Sequence, residues 1–314
     1  MSVKVYVDGQ AGTTGLKIVS RLEQREDISL LKIADADRHN NVKRAEIMAE
    51  ADFTFLCLPD DAAREAVTLA GDSTRLIDAS TAHRTNPEWA YGFPELAPEF
   101  REKLRNSQKT AVPGCYASGF ISMLYPMVKH GLIPAHFPVF AYATSGYSGA
   151  GKNAIAQYES ENKPEEFNSP RQYALTQQHK HLPEMQLFSG LTYKPMFNPI
   201  ICDYYSGMVV SVPIQTRMLD QKISLAQVNS MFQEHYADAK LVTVNPVMSE
   251  QEQKSFFLAS NTLSGKNKLE IFTFGNDEQI LLCARLDNLG KGASGAAVQC
   301  LNIMMGIDET TGLV

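Results

Sequence analysis

The first eighty residues alternate between short apolar runs and segments whose apolar positions have helical spacing. The apolar runs predict four strands, at Val3–Asp8, Leu30–Asp35, Asp52–Leu58 and Arg75–Ala79. Apolar residues at three- and four-residue steps predict helices between them, at Gly15–Gln24, Val42–Met48 and Asp60–Ala70. Strands and helices that alternate through short connections predict a parallel, doubly wound sheet of the α/β class.

The pattern changes near residue 115. Longer alternating stretches predict a second, α+β domain with a mainly antiparallel sheet, and they cover residues 138–145, 208–216 and 280–288. A final helix rich in small residues is predicted over residues 290–306, and we expect it to pack back onto the first domain. The predicted domains are therefore residues 1–114, with the C-terminal segment 289–314 packed back, and residues 115–288.

Length, charge and cysteine content narrow the class of protein. A chain of 314 residues is long enough for two domains, and a net charge of −6 argues against a nucleic-acid partner. No apolar run approaches the ~20 residues that span a bilayer, and the N-terminus lacks a signal-peptide pattern, so we expect no membrane association. Five scattered cysteines without a CxxC pair indicate a reducing, cytoplasmic location and no zinc site, and they are Cys57, Cys115, Cys202, Cys283 and Cys300.

A glycine-rich turn joins the first strand to the first helix. The stretch "DGQAGTTG" carries Gly9, Gly12 and Gly15, with Thr13 and Thr14 between the last two. Glycines let a backbone turn sharply and approach a phosphate, and the helix N-terminus that follows stabilises negative charge. The turn therefore predicts a dinucleotide site, although such turns also occur in α/β proteins without one.

The end of the predicted second strand bears on the choice of nucleotide. Asp35 lies near the distance at which an acid holds the ribose hydroxyls of NAD. Arg38 follows three residues later and offers a guanidinium for the 2′-phosphate of NADP, whereas Asp37 would repel it. The spacing alone leaves both nucleotides open.

Cys115 stands apart from the other cysteines. In "AVPGCYASGF" it follows a Pro-Gly turn and begins a segment with helical apolar spacing. Helix N-terminal N–H groups lower a thiol's pKa and can donate to a developing oxyanion, so this position suits a nucleophile. The other four cysteines lie in apolar runs and fit the ordinary role of a small buried side chain.

The stretch "QQHKHLPEM" supplies His179, His181 and Glu184. Two histidines two residues apart point the same way on a strand, which would suit a metal, but no third ligand has matching spacing. A base beside the thiol, with a carboxylate that orients its imidazole, fits the stretch better. The alternative is that one or both histidines lie on the surface.

A second glycine-rich segment, "TSGYSGAGK", contains Ser145, Ser148 and Lys152. Asn153 follows the lysine, so the segment is not a P-loop. It is either a flexible loop or one that closes over an anionic substrate.

The stretch "DASTAHR" follows the predicted fourth strand, at the sheet edge where doubly wound folds bind ligands. At that edge Ser80 would meet a nicotinamide and Arg84 an anion. Both side chains are equally compatible with plain solvent exposure.

Six segments in this order resemble the N-acetyl-gamma-glutamyl-phosphate reductases, in the shorter of the two forms of that family. They are "GQAGTTGL", "DASTAHR", "VPGCYASG", "SGYSGAGK", "HKHLPEM" and "DNLGKGASGAAVQCLN". The resemblance implies an NADPH-dependent enzyme of arginine biosynthesis that converts N-acetyl-L-glutamyl 5-phosphate to the 5-semialdehyde and phosphate. It also implies a Rossmann domain, a catalytic domain that forms a homo-oligomer (dimer or tetramer), and a fold shared with aspartate-semialdehyde dehydrogenases.

The resemblance also implies residue roles. Cys115 attacks the acyl phosphate, a thioester forms, and NADPH reduces it; His181 acts as the acid/base. His179, Glu184, Arg84, Ser145, Ser148 and Lys152 then fall on the substrate side. The cofactor side comprises the glycine turn (Gly9, Gly12, Thr13, Thr14, Gly15), Arg38, Ser80, Asn288 and Gly292.

Two departures and two alternatives accompany the resemblance. Ala117 stands where many relatives have proline, and "DASTAHR" is a loose match that bears on the role of Arg84. The alternatives are an enzyme that reduces a neighbouring acyl phosphate, of aminoadipate or aspartate, and a Rossmann module that senses a dinucleotide. A sensor would have no use for the pair of Cys115 and His181.

Overall fold

The computed structural model describes residues 2–313, which divide into two compact units. The first unit comprises Met1–Gly114 together with Ala293–Val314, and the second comprises Cys115–Gly292. Within the described residues, every helix is too short or too polar to cross a bilayer.

The first unit contains a six-stranded sheet in which every pairing is parallel. Its spatial order is β2-β1-β3-β4-β6-β5, and its strands are β1 (Val3–Asp8), β2 (Ile28–Leu31), β3 (Phe53–Leu56), β4 (Arg75–Asp78), β5 (Ala90–Tyr91) and β6 (Lys109–Ala111). Its helices are α1 (Thr13–Leu22), α2 (Asn41–Glu50), α3 (Asp60–Ala70), α4 (Pro98–Asn106) and the C-terminal helix Gly295–Met305, which contacts α4 and β4. The predicted parallel, doubly wound fold is confirmed.

The second strand was predicted over Leu30–Asp35, but it begins and ends earlier in the structure. The second strand was expected to run to Asp35, but β2 ends at Leu31, and Asp35 begins a short 3-10 turn, Asp35–Asp37. As an edge strand, β2 pairs only with β1, and this ladder ends where Tyr6 faces Leu31. The apolar Ile33 beyond it lines a pocket instead of extending the sheet.

A buried ion pair lies where β1 leaves the sheet. Arg44 on α2 donates from Nη2 to Asp8 Oδ2 over 2.8 Å, and the two side chains are 6% and 5% exposed. The same guanidinium also donates to Asn41 and Glu65. Burial, with the carboxylate of Asp8 nearby, raises the pKa of the Tyr6 phenol, which keeps it neutral.

The second unit contains a seven-stranded mixed sheet in the order β11-β12-β13-β10-β7-β9-β8. Its strands are β7 (Phe140–Gly146), β8 (Arg171–Gln172), β9 (Met196–Cys202), β10 (Met208–Gln215), β11 (Val242–Val244), β12 (Leu269–Gly275) and β13 (Gln279–Leu286). The β7–β9 and β11–β12 pairings are parallel and the others antiparallel, so the expectation of a mainly antiparallel sheet is confirmed.

Helix α5 (Cys115–Lys129) packs on one face of this sheet, called here the inner face. A Cβ added to Gly119 would lie 2.7 Å from Val210 Cγ2, so only glycine lets the helix approach β10 this closely. Inner-face side chains such as Met208 and Leu286 are fully buried. The remaining helices of this unit are α6 (Lys152–Tyr158), α7 (Leu182–Ser189), α8 (Leu225–His235) and α9 (Glu250–Ser255).

The opposite, outer face of the sheet is partly open. Val209, Phe272 and Cys283 form a small apolar cluster there, over which Leu258 packs. A cavity of 340 Å³ lies on this face, and its lining includes Tyr142.

The ion pair of Asp8 and Arg44 gives a prediction for stability. Arg44→Met leaves a buried carboxylate without its cation, and we expect the free energy of unfolding to fall by roughly 3–5 kcal/mol. Arg64→Met, which removes an exposed partner of Asp61 on α3, is the matched control and should change it little. Urea unfolding of both variants measures the difference, and equal effects would contradict this account of the pair.

Candidate active site

The glycine turn of the first unit has the close backbone contacts that a phosphate site requires. Gly9 has φ +86°, and a Cβ there would collide with the carbonyl of Cys57. A Cβ on Gly15 would likewise collide with the Gly9 carbonyl. Gly12 is the N-cap residue of α1. The first N–H groups of α1, at Thr13 and Thr14, therefore directly follow a tight turn whose backbone packs against itself and against Cys57.

A pocket of 610 Å³ adjoins this turn. Its lining includes Gly9, Gly12, Asp35, Arg38 and Arg44. Arg44 is committed to Asp8, whereas Arg38 is exposed and forms neither a hydrogen bond nor an ion pair with any residue in 2–313. The two candidate readers of the ribose, Asp35 and Arg38, thus lie in the same pocket.

Ser80 and Arg84 lie beyond the carboxyl end of β4 in the first unit. The Ser80 backbone N–H and hydroxyl each donate to the Asp78 carboxylate over 2.8 Å. Arg84 is buried, and its guanidinium donates to the carbonyls of Val112 and Ala79. Arg84 therefore stabilises the backbone at Val112, three residues before Cys115.

Cys115 is the first residue of α5, as its sequence context predicts. Gly292 lies against it so closely that a Cβ on Gly292 would be 2.7 Å from Cys115 Cβ. The Gly292 N–H donates to the Asp287 carbonyl over 2.9 Å, which fixes this contact. The N–H groups at the helix start favour the thiolate form of Cys115.

Other thiols of the chain lie in environments that favour the protonated form. Burial raises the pKa of Cys283 to about 11, and it also raises the pKa values of Cys57 and Cys202. Cys300 is fully buried, and its thiol donates to the Gly92 carbonyl. These four cysteines have the ordinary structural role that the sequence indicates.

Tyr116, the next residue after Cys115, is the centre of an aromatic cluster in the second unit. Its ring lies 5.7 Å from that of His179, 5.8 Å from that of His181 and 5.1 Å from that of Phe197. The Tyr173 hydroxyl donates to the Tyr116 hydroxyl over 2.8 Å. The structure therefore places both predicted histidines around the residue that adjoins Cys115.

The phenols of this cluster stay neutral. Burial is the main cause that raises the pKa values of Tyr116 and Tyr173, and negative charge on Cys115 raises both further. Ser145, one of the predicted substrate residues, acts in the opposite direction and lowers the pKa of Tyr116. Neither tyrosine was singled out from the sequence, because their proximity to the thiol arises only in the folded chain.

The two histidines do not lie on a strand, so the strand arrangement considered for a metal site does not occur here. His181 is the N-cap residue of α7, and His179 lies in the loop before it. The His181 backbone N–H donates to His179 Nδ1 over 3.2 Å, so a neutral His179 carries its proton on Nε2. Glu184 lies in the first turn of α7, and both it and His181 are buried. No group of three metal-ligating side chains occurs among residues 2–313.

An unusual backbone conformation shapes this histidine loop. Ala174 (φ 54°) and Gln177 (φ 57°) are left-handed, which non-glycine residues rarely adopt. The Gln177 amide donates to the Phe197 carbonyl over 3.1 Å and accepts from the Phe197 N–H over 2.9 Å. These two bonds attach the loop to β9, next to the ring that contacts His179.

The second glycine-rich segment is joined to the end of β13. Asn288 accepts from the Gly207 N–H over 2.8 Å and donates to the Ser148 hydroxyl over 3.0 Å. Lys152 is exposed at the start of α6, after Gly151 with φ +89°. The segment is therefore an ordered turn, in which Ser148 is buried and Lys152 faces solvent.

The thiol environments give a prediction for alkylation. At neutral pH and limiting iodoacetamide, we expect Cys115 to be modified first, because it alone lies at a helix N-terminus while burial disfavours the other thiolates. Peptide mapping by mass spectrometry measures the order. Labelling should spread to the other cysteines only in denaturant, and early modification of Cys283 in the native protein would contradict the assignment.

Both units match models of one protein family. Residues 4–104 match the family described as "Semialdehyde dehydrogenase, NAD binding domain". Residues 115–288 match "Semialdehyde dehydrogenase, dimerisation domain".

Solved structures show the same fold at low sequence identity. Aspartate semialdehyde dehydrogenase II of Vibrio cholerae, complexed with ASA, is 15% identical with a TM-score of 0.69, and the match covers 98% of this chain and 99% of that one. Aspartate semialdehyde dehydrogenase of Francisella tularensis is 13% identical with a TM-score of 0.70, over 96% and 100%.

Curated proteins are much more similar. The N-acetyl-gamma-glutamyl-phosphate reductases of Brucella ovis and Brucella canis are each 45% identical, over 98% of this chain and 100% of theirs. Identity at this level along the full length, with both family domains present, means that this chain belongs to the N-acetyl-gamma-glutamyl-phosphate reductases of the semialdehyde dehydrogenase family.

Proposed function

We propose that this chain reduces N-acetyl-γ-glutamyl phosphate to the semialdehyde and phosphate, with NADPH as the reductant. The observation that carries the proposal is Cys115 at the start of α5, with the rings of His179 and His181 around the adjacent Tyr116. The names of the curated relatives supply the substrate, and they agree with the resemblance in the sequence.

Cys115 supplies the nucleophile. Its sulfur attacks the acyl carbon, the carbon–oxygen bond to phosphate breaks, and a thioester on Cys115 results. His181 holds the proton that the Cys115 thiol has lost and gives it to the departing phosphate, which balances the step. The backbone N–H groups at the start of α5 donate to the oxyanion of the tetrahedral intermediate.

The glycine turn and the start of α1 would hold the pyrophosphate of the nucleotide, since the tight turn leads directly to the N–H groups at the helix N-terminus. When bound, the nicotinamide supplies hydride to the thioester carbon. Cys115 then leaves as thiolate, the semialdehyde is released, and a proton from solvent restores the starting protonation of Cys115 and His181.

The roles of the histidines follow from their surroundings. His181 is buried at the first turn of α7, where its position is fixed, and we assign it the proton transfer. His179 accepts the His181 backbone N–H at Nδ1, which fixes its ring beside Tyr116, and we assign it the positioning of substrate.

The position of Arg38 favours NADPH over NADH as the bound nucleotide. Its guanidinium is exposed in the nucleotide pocket and uncommitted to any residue in the described chain, so it is available to the 2′-phosphate. Asp35 in the same pocket would favour NADH, and a direct comparison of the two nucleotides decides between them.

A second copy of this chain is the partner that we propose for the outer face. Phe140 and Met196 lie opposite each other on β7 and β9 and are both exposed. The same face carries Val209, Phe272 and Leu281, and the matched family domain is described as a dimerisation domain. Burial of this apolar surface against itself would form a symmetric homo-oligomer.

The reaction gives a prediction for three variants. Cys115→Ala should abolish turnover and the covalent acyl adduct, yet still bind NADPH, because the glycine turn is untouched. His181→Ala should lower kcat by roughly 10²–10⁴-fold, the usual scale for an acid/base, whereas His179→Ala should mainly raise KM. Steady-state kinetics and intact mass spectrometry measure these effects. Substantial turnover by Cys115→Ala would overturn the thioester mechanism, and the opposite split would exchange the roles of the histidines.

The nucleotide gives a further prediction. Arg38→Ala should reduce the preference for NADPH over NADH about tenfold or more, because a guanidinium–phosphate contact is lost. The ratio of kcat/KM for the two nucleotides is the measurement, and Lys17→Ala, an exposed cation on α1 outside the pocket, is the control. An unchanged ratio would mean that another group reads the 2′-phosphate.

A further inference from the structure

Arg171 is a cation without an anionic partner. Its Nη2 donates to the Tyr158 hydroxyl over 2.6 Å, and its guanidinium lies 3.6 Å from the centre of the Phe167 ring. Its Nε is buried and has no hydrogen-bond partner. Among residues 2–313, no carboxylate lies within ion-pair distance of this arginine. Removing a guanidinium partly from water costs free energy, and a bound anion would offset that cost.

The sheet register places Arg171 on the inner face. Arg171 on β8 pairs with Ile201 on β9, and Ile201 pairs with Ser145 on β7. Ser145 pairs with Met208 on β10, so these residues form one row across the sheet. Cross-strand partners share a face of the sheet, and this row continues to Leu286, which lies against Gly119 of α5.

This row of residues passes near Tyr116, the residue that follows Cys115. Ser145 lies close enough to the hydroxyl of Tyr116 to influence its pKa, and Tyr116 adjoins Cys115. Arg171 is two strands from Ser145, a backbone separation of about 10 Å. Tyr173, two residues beyond Arg171, also turns inward and donates to Tyr116. The guanidinium is thus on the same side as the nucleophile and well separated from it.

We propose that Arg171 binds the free carboxylate of the acyl phosphate substrate. This inference rests on the proposed function, which supplies a substrate with two anionic groups. The phosphate is bonded to the carbon that Cys115 attacks, so it lies at the sulfur. The carboxylate is at the other end of the carbon chain, where a guanidinium two strands away can meet it. The planar fork of arginine matches a carboxylate with two parallel hydrogen bonds.

The aromatic neighbours make this a preorganised subsite. Stacking on Phe167 and the bond to the Tyr158 hydroxyl restrict the guanidinium before the substrate arrives, so less side-chain entropy is lost on binding. Tyr158 in turn stacks on Tyr147, at 4.6 Å between ring centres, in the same turn as Ser148. The subsite therefore connects the edge strand β8 to the glycine-rich segment that precedes α6.

The reverse reaction allows the binding of the carboxylate and the binding of the phosphate to be measured separately. With semialdehyde, phosphate and NADP⁺ as reactants, the carboxylate belongs to one substrate and the phosphate is another. Arg171→Met should raise the KM for the semialdehyde about 10²-fold while the KM for phosphate stays within about twofold of wild type. Arg171→Lys should retain part of the affinity, and Tyr158→Phe should cause a smaller increase. Arg217→Met, an exposed cation of the turn after β10, is the matched control and should change neither KM.

A substrate change distinguishes recognition from a structural role. The methyl ester of the semialdehyde should be a poor substrate for the wild-type enzyme, with KM again raised about 10²-fold, and Arg171→Met should add no further loss. An ester that wild type uses as well as the acid overturns the proposal without any variant. So does an increase in the phosphate KM alone, or an equal loss by Arg171→Met on acid and ester. Absence of any turnover by wild type would instead overturn the proposed function.

Discussion

The contact of α5 with the inner face of the second sheet places the chemistry of this protein. Gly119 allows the helix to lie directly on Val210 of β10, and one turn earlier the same helix begins at Cys115. Gly292 then packs against the cysteine itself. A methyl group at either glycine would displace the helix start, and with it the N–H groups that favour a thiolate. The close approach of the backbone at these two glycines therefore helps to determine where the sulfur lies.

The fold of the first unit was largely predictable, because parallel strands buried on both faces leave near-continuous apolar runs. Helix α3 begins and ends at Asp60 and Ala70 as predicted, since Pro59 and Gly71 bound the pattern. The short strands β5, β6, β8 and β11 were missed because two or three residues carry no periodic signal. The seven-residue strands β9 and β12 were not predicted either. The end of β2 was wrong because apolar Ile33 continues the pattern into a pocket wall.

Two parts of the proposed site have a signal in the sequence itself. The roles that we propose for Cys115 after Pro-Gly and for the glycine turn both depend on local backbone geometry, which the sequence encodes directly. Arg171, Tyr173 and Gln177 reach the site through a two-residue strand and a loop with left-handed residues, so no spacing reveals them. Their positions depend on the pairing of β8 with β9, which is set by tertiary contacts.

The histidine loop adopts its shape at a cost to folding. Ala174 and Gln177 hold left-handed conformations that cost of order 1 kcal/mol each in residues with a Cβ, and glycine at these positions would remove that cost. Glycine would also widen the range of shapes that the free loop samples. With alanine and glutamine, the ordering of the loop is completed when the chain folds, and little of it is left for the substrate to bring about. The histidines are thereby in place at the first encounter, and each turnover begins from the same arrangement.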